Sequence, residues 1–253
     1  MPFTLAHPAA VLPLPRALGR YCVFSALVVG SIAPDLPYFF GDPFKRSTTH
    51  SLASVLWFSL PAGWLTYLVW EHAVRSAVVT LLPDPLRARL RGAPQVGEIV
   101  PVSLCIVLGA LTHIAWDALT HETDSLEGVL GLGDLAIGGV SILSYAVLQA
   151  LSTLGGLALI GLSIRSWLRR TPPRRLPPRV AAVENRRLFS QLIVLAAFLV
   201  TSAIACLGFA LSDPSSQNNL ALLAGHSLLT GIGCTAVLLA GVGAWLRPRA
   251  RRG

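Results

Sequence analysis

The stretch Ile99-Val100-Pro101-Val102-Ser103-Leu104-Cys105-Ile106-Val107-Leu108-Gly109-Ala110-Leu111-Thr112-His113-Ile114-Ala115-Trp116-Asp117-Ala118-Leu119 decides how the chain is read. It contains no Lys or Arg, and it runs for the roughly 20 positions that a helix needs to cross a bilayer. Five further apolar runs match it in kind: Tyr21–Phe40, Leu52–Trp70, Val140–Ile164, Leu188–Leu211 and Leu220–Leu246. The stretches between them collect Pro, Gly, Arg and Asp, as loops at a membrane surface do. Composition agrees: 53% of the 253 residues are hydrophobic and 13% are charged, against about 25% charged in a soluble domain. Mean hydropathy is positive. The expected fold is all-α, a polytopic transmembrane helical bundle of about six spans.

No long polar stretch interrupts this pattern, so residues 1–253 read as a single integral membrane domain. Residues 1–139 carry the polar motifs. Residues 140–253 add further transmembrane helices, joined by an Arg-rich segment at 165–187. The start, Met1-Pro2-Phe3-Thr4-Leu5-Ala6-His7-Pro8, lacks the basic region of a secretory signal. Phe3–Leu14 is apolar but too short to span, and suits a re-entrant or interfacial helix against the first span. Cys22, Cys105, Cys206 and Cys234 fall within the apolar runs and form no CxxC pair, so they read as small apolar residues.

The net charge of +8 is a matter of topology. Arg165, Arg169, Arg170, Arg174, Arg175, Arg179, Arg186 and Arg187 fall between the fourth and fifth runs, and Arg247, Arg249, Arg251 and Arg252 close the chain. Arg75, Arg87, Arg89 and Arg91 precede the third run, whereas Glu122–Gly139 and Ser212–Asn219 contain no Lys or Arg. Cationic short loops stay on the cytoplasmic side. Six spans then place both termini in the cytoplasm, in a cytoplasmic (inner) membrane. Only Lys45-Arg46 falls on the other side. The basic loop faces anionic lipid headgroups and implies no nucleic acid partner.

Ionisable side chains within spans cost about 2.5–3.5 kcal/mol each on insertion scales, so each needs a reason. His113, Asp117 and His121 are spaced by four and share one helix face. An imidazole and a carboxylate one turn apart suit a single divalent cation such as zinc or iron; a buried His–Asp hydrogen bond explains the same spacing. With outward and inward spans alternating, Asp35, in Ala33-Pro34-Asp35-Leu36-Pro37, and His50, in Thr48-Thr49-His50-Ser51, meet the outer end of the third span. Asp35, His50, His113 and Asp117 then make a four-ligand set with room for a water. The alternatives are a turn residue for Asp35, an interfacial residue for His50 and a solvated loop residue for His121. His72, beside Glu71, reads as a surface residue, and His226 as a hydrogen-bonding group between helices.

Pro2-Phe3-Thr4-Leu5-Ala6-His7-Pro8-Ala9, Ser31-Ile32-Ala33-Pro34-Asp35, Thr49-His50-Ser51 and His113-Ile114-Ala115-Trp116-Asp117 together resemble a bacterial membrane family, domain of unknown function 4184. Their spacing is similar to that of the inner-membrane metal-dependent hydrolases, themselves distantly likened to zinc-dependent phospholipase C. The resemblance covers about the first half of the chain. It implies His7, Asp35, His50, His113 and Asp117 as metal ligands, with a re-entrant N-terminal hairpin carrying His7 to the outer end. Those hydrolases often have a second acidic residue just after the first Asp. Pro37 and Tyr38 stand there in this chain, against a two-metal site.

These residues suggest a membrane-bound metal-dependent hydrolase acting on a phosphoester or other lipid-borne ester near the outer face. Its cofactor would be a divalent metal, zinc first and iron or manganese next, with His121 or Glu122 as general base. Its partners are membrane lipids and an amphiphilic substrate arriving from them. Two other readings stand beside it: a non-catalytic protein with a structural polar or metal cluster, and a transporter of a metal ion or small solute. Nucleotide-binding loops and a GxSxG elbow are absent from the sequence.

Overall fold

The structure is a computed structural model that describes residues 3–40, 46–90, 96–120, 135–137, 140–142, 144–175, 181–212, 228–239 and 241. It divides into two compact units. The first comprises Met1–Leu36, Phe44–Leu65 and Gly97–Trp167, and the second Pro37–Pro43, Thr66–Val96 and Leu168–Gly253.

Helices dominate both units. The chain enters through a 3₁₀ turn, Thr4–Ala6, and two short helices, α1 (Pro8–Val11) and α2 (Leu14–Leu18). Pro8 and Pro15 suit the first turns of these helices, where a proline's missing N–H is not needed. Gly19, with φ of 51°, ends α2 in a conformation that a side chain would resist. Helix α3 (Phe24–Ile32) continues directly into a 3₁₀ stretch, Ala33–Phe40. Pro34 and Pro37 cannot donate backbone hydrogen bonds, so the regular helix gives way there. Asp35 accordingly lies in a 3₁₀ helix, not in an open turn.

After α4 (Arg46–Thr49), a π-helical segment Val55–Ser59 leads into α5 (Leu60–Val69). A second π segment, Trp70–Val74, leads into α6 (Arg75–Leu81), and α7 (Asp84–Arg87) follows. Helix α8 (Ile99–Thr120) has 22 residues. A small antiparallel hairpin, β1 (Leu135–Ile137) with β2 (Val140–Ile142), pairs Ile137 with Val140. Helices α9 (Ser144–Arg170), α10 (Ala181–Ser212) and α11 (Leu228–Leu239) complete the described chain.

Among the described residues two helical segments are long and apolar enough to cross a membrane, Ile99–Thr120 and Val147–Arg170. The apolar helices Phe24–Phe40, Leu188–Ile204 and Leu228–Leu239 are shorter. The fourth apolar run differs from its sequence reading. Val140–Ile142 is strand, and the helix starts at Ser144. Two glycines between runs of β-branched residues are a hairpin signal, and it overrides the continuous hydropathy. Cys22, Cys105 and Cys234 are free thiols. Cys22 sits just ahead of α3, and buried Cys105 accepts the Val23 N–H at 3.2 Å.

In the second unit Glu71 is fully buried and accepts from Arg75, with Oε2 2.8 Å from Nε and Oε1 2.9 Å from Nη2. This two-point pairing, one turn apart, holds a carboxylate in an apolar helix. Its neighbour His72 is exposed, as the sequence suggested.

In the first unit α3 packs most extensively on α8, and α1 lies against both. The α3–α8 contact is backbone to backbone. A Cβ on Gly30 would sit 2.3 Å from the Ile106 carbonyl oxygen, and one on Gly109 would sit 2.4 Å from that of Leu27. Neither helix has a flexible group to move aside, so Gly109→Ala and Gly30→Ala should each cost about 1–3 kcal/mol through overpacking. Gly161→Ala faces open space and should be neutral or slightly stabilising, because alanine favours helix. Thermal unfolding in detergent checks this, and a Gly109→Ala protein melting with the wild type would contradict the contact.

Candidate metal centre

All five residues read as ligands from the sequence, His7, Asp35, His50, His113 and Asp117, come together in the first unit. Each arrives on a different local device. His7 follows the Thr4–Ala6 turn, whose backbone closes through Ala6 N–H to the Phe3 carbonyl at 2.7 Å. Asp35 rides on the 3₁₀ continuation of α3. His50 comes directly after α4, in a bend closed by Ser54, whose hydroxyl donates to the Thr49 carbonyl at 2.7 Å. His113 and Asp117 share one face of α8. His7, Asp35, His113 and Asp117 are each at most 2% exposed at the side chain, and His50 is 5% exposed.

The donor atoms face one another. His50 Nε2 lies 3.0 Å from Asp35 Oδ1 and 3.7 Å from Asp117 Oδ2. His113 Nε2 lies 3.5 Å from Asp35 Oδ1 and 3.6 Å from Asp117 Oδ2. Four ligands held tetrahedrally at about 2.1 Å from one ion sit about 3.4 Å apart, and these four nitrogen–oxygen separations are close to that value. His7 meets the other oxygen of the second carboxylate, with Nε2 3.5 Å from Asp117 Oδ1. The ligand atoms of His7, Asp35 and His113, and those of His50, His113 and Asp117, form two overlapping groups, each within 4.8 Å.

Surrounding groups orient these ligands. The Ser31 carbonyl accepts from His113 Nδ1 at 2.8 Å, which leaves the Nε2 lone pair turned to the cluster. Thr49 Oγ1 lies 2.8 Å from His50 Nδ1 and does the same for that ring. Thr4 donates its hydroxyl to Asp35 Oδ2 at 2.7 Å, so Oδ1 is the oxygen presented to the two histidines. The His7 ring stacks on His113 at 3.8 Å between centroids and meets the edge of Trp116 at 5.9 Å. Helix α9 holds the N-terminal segment in turn. Thr153 Oγ1 accepts the Phe3 N–H at 3.0 Å, and Ser152 accepts from the Trp116 indole.

Both ring nitrogens of His7 and Nε2 of His113 are buried without a hydrogen-bond partner. Two of these, Nε2 of His7 and Nε2 of His113, face carboxylate oxygens and offer lone pairs that a cation would engage, so the residues fit a divalent metal. His121, Glu122 and His226 lie outside the described residues. Thr4, Thr49 and the Ser31 carbonyl have no assigned role in the sequence reading. The Thr49-His50 adjacency was the one available signal, since a backbone acceptor leaves no trace in residue types.

Burial, reinforced by the nearby His113, pulls the His7 imidazole from 6.5 down to about 4, against the attraction of Asp117 and Asp35. Its folded-state value lies below its unfolded value, so the neutral ring contributes stability above pH 6.5. That contribution is lost as pH falls towards 4. The metal-stripped protein should therefore lose melting temperature over this window, and His7→Gln should flatten the dependence. An unchanged slope in that variant would contradict a neutral buried His7. Thr4→Val, which strands Asp35 Oδ2, should destabilise the protein by about 1–3 kcal/mol at pH 7.

No curated protein and no solved structure matches the chain. The family described as Domain of unknown function (DUF4184) matches residues 1–242. The resemblance thus extends well beyond the motif-bearing first half in which it was legible. With the five polar residues of those motifs gathered around one point, and the match running nearly the whole length, the chain belongs to the DUF4184 family.

Proposed function

We propose that this protein is a multi-pass membrane protein with a divalent metal centre at Asp35, His50, His113 and Asp117, working as a hydrolase on a phosphoester or other lipid-borne ester. The observation that carries the proposal is the set of four nitrogen–oxygen separations between 3.0 and 3.7 Å among donors from three separate parts of the chain. Charge supports it too. Two buried carboxylates are balanced by one doubly charged cation.

The membrane assignment is supported by α9. Away from the face that packs on the N-terminal segment, Leu151, Leu154, Leu159 and Leu162 are all more than half exposed. A broad exposed leucine face calls for an apolar surround, which lipid supplies. Six spans, both termini in the cytoplasm and a site towards the outer face follow from the arginine distribution. Lipid is then both the solvent of the helices and the source of an amphiphilic substrate.

A bound divalent cation would lower the pKa of a water and polarise an ester. Zinc suits the four-donor set best, and iron and manganese accept the same ligand types. The chain's own contribution is orientation. Ser31, Thr49 and Thr4 fix the rings and the carboxylate so that lone pairs converge. Among the candidates for moving the proton, His121 and Glu122 come one turn or so beyond Asp117 in sequence. Hydrolysis would place the water's oxygen on the ester's phosphorus or carbon and release the alcohol with a proton.

Metal analysis of detergent-purified protein tests the centre. Wild type should hold close to one zinc, iron or manganese per chain, and His113→Ala and Asp117→Ala should hold less than about a tenth of that. A folded wild type that stays metal-free and does not respond to added divalent ions would leave only the structural polar cluster.

A further inference from the structure

The five side chains of the cluster are at most 5% exposed, so an ion or an ester reaches the donors only after some segment moves. The α3 chain with its 3₁₀ continuation, α8 and the bend at His50 each carry one or more of Asp35, His50, His113 and Asp117. Displacing any of them takes the proposed centre apart. They are also firmly secured. Helices α3 and α8 meet backbone to backbone at Gly30 and Gly109, and the Ser54 hydroxyl closes the bend on the Thr49 and Ser51 carbonyls at 2.7 and 2.6 Å. The N-terminal strap, residues 3–18, differs on both counts. It covers the cluster with the His7 ring, stacked on His113, yet it supplies none of those four donors.

The strap is lightly held. Neither of its helices has a side-chain cap, α2 buries no residue, and the His7 nitrogens make no hydrogen bond. Its fastenings are the Thr4 hydroxyl on Asp35, the Phe3 N–H on Thr153, Ala6 seated on Gly156, and the burial of Ala9 and Val11. Beyond its last residue stands Gly19, at φ 51° and with nothing within 4 Å of the place a Cβ would take. A glycine in open space absorbs large backbone rotations at little cost, which is what a hinge requires.

We infer that residues 3–18 are a lid over the metal centre, hinged at Gly19 and latched to α9 through Thr153 and Gly156, and that a cation reaches and leaves the donors when the lid lifts; this rests on the metal-centre reading above. Lifting it breaks the Thr4–Asp35 hydrogen bond and unstacks His7 from His113. The four donors stay in place on the elements that carry them. Closing the lid returns His7 to Asp117 and excludes water from the cluster. Thr153 and Gly156 belong to the latch alone, because neither residue touches a donor through any contact that holds the strap.

The test loads full-length protein with zinc in detergent and times its release to an excess of a chromogenic chelator. Ala6→Cys combined with Gly156→Cys ties the lid down. A Cβ at position 156 lies 3.0 Å from that of Ala6, and a small retreat brings the pair to the roughly 3.5 Å that a disulfide accepts. Loaded first and then oxidised with diamide, this protein should release zinc at least about ten-fold more slowly than when reduced, and a phosphine reductant should restore the rate. The two single-cysteine proteins should not respond to oxidation. Thr153→Val, which removes the acceptor of the Phe3 N–H, should release zinc about three- to ten-fold faster than wild type. Equal release from the oxidised and reduced double-cysteine protein, or wild-type release from Thr153→Val, would each overturn the lid and leave the centre standing. Where the disulfide does not form, the Thr153→Val comparison decides alone. A wild type that takes up no zinc removes the metal-centre reading, and this inference with it.

Discussion

The close approach of α3 to α8 is the constraint on which the site depends. Gly30 and Gly109 let the two backbones meet without side chains between them, since a Cβ at either position would lie 2.3 or 2.4 Å from a backbone oxygen of the facing helix. Gly109 precedes His113 by one turn, and Gly30 precedes Ser31, whose carbonyl then reaches the His113 ring at 2.8 Å. One turn further along, the 3₁₀ winding of Ala33–Phe40 aims Asp35 at both His113 and the cluster around it. A gap between these helices of even an ångström would separate the carboxylate from the imidazole. The glycines are therefore part of the site without touching it.

Around that contact each donor is fixed from behind. Asp35 gives one oxygen to Thr4 and keeps the other for the histidines; Asp117 shows one oxygen to His50 and His113 and the other to His7. This division is what a preformed cation site requires, since loose carboxylates would collapse onto the nearest donor. The N-terminal segment is the least self-sufficient part. Its helices are only four and five residues long, too short to hold themselves. Contacts with α9 hold them instead: Thr153 anchors Phe3, and Gly156 allows Ala6 to lie against the helix.

Some of this was legible in the sequence and some was not, for physical reasons. His113 and Asp117 announced themselves by a spacing of four in an apolar helix, where an ionisable residue is costly. Asp35 and His50 became visible through the alternation of spans, which returns the chain to the same end. His7 was legible only through the family resemblance, because nothing in composition says that a short apolar segment folds back to the cluster. Glu71 escaped because its neighbour His72 is exposed, and adjacent residues on a helix face different ways. The π segments at Val55–Ser59 and Trp70–Val74 leave no mark in hydropathy. The β1–β2 hairpin is hidden for the same reason: β-branched apolar residues extend a hydrophobic run whether they form strand or helix.

The distances also bear on what neutralises the two buried carboxylates. Protonated imidazoles are the alternative to a cation, and they would form charge-assisted hydrogen bonds of about 2.7–2.9 Å. Only the His50–Asp35 pair, at 3.0 Å, approaches that length. The remaining four His–Asp separations are between 3.5 and 3.7 Å, too long for such bonds. His113 is the clearest case. Its Nδ1 proton is committed to the Ser31 carbonyl, and its Nε2 stands nearly equidistant from two carboxylate oxygens, bonded to neither. A proton would draw that nitrogen towards one oxygen. An ion lying between the donors would hold it close to both oxygens, which is the arrangement the proposed centre requires.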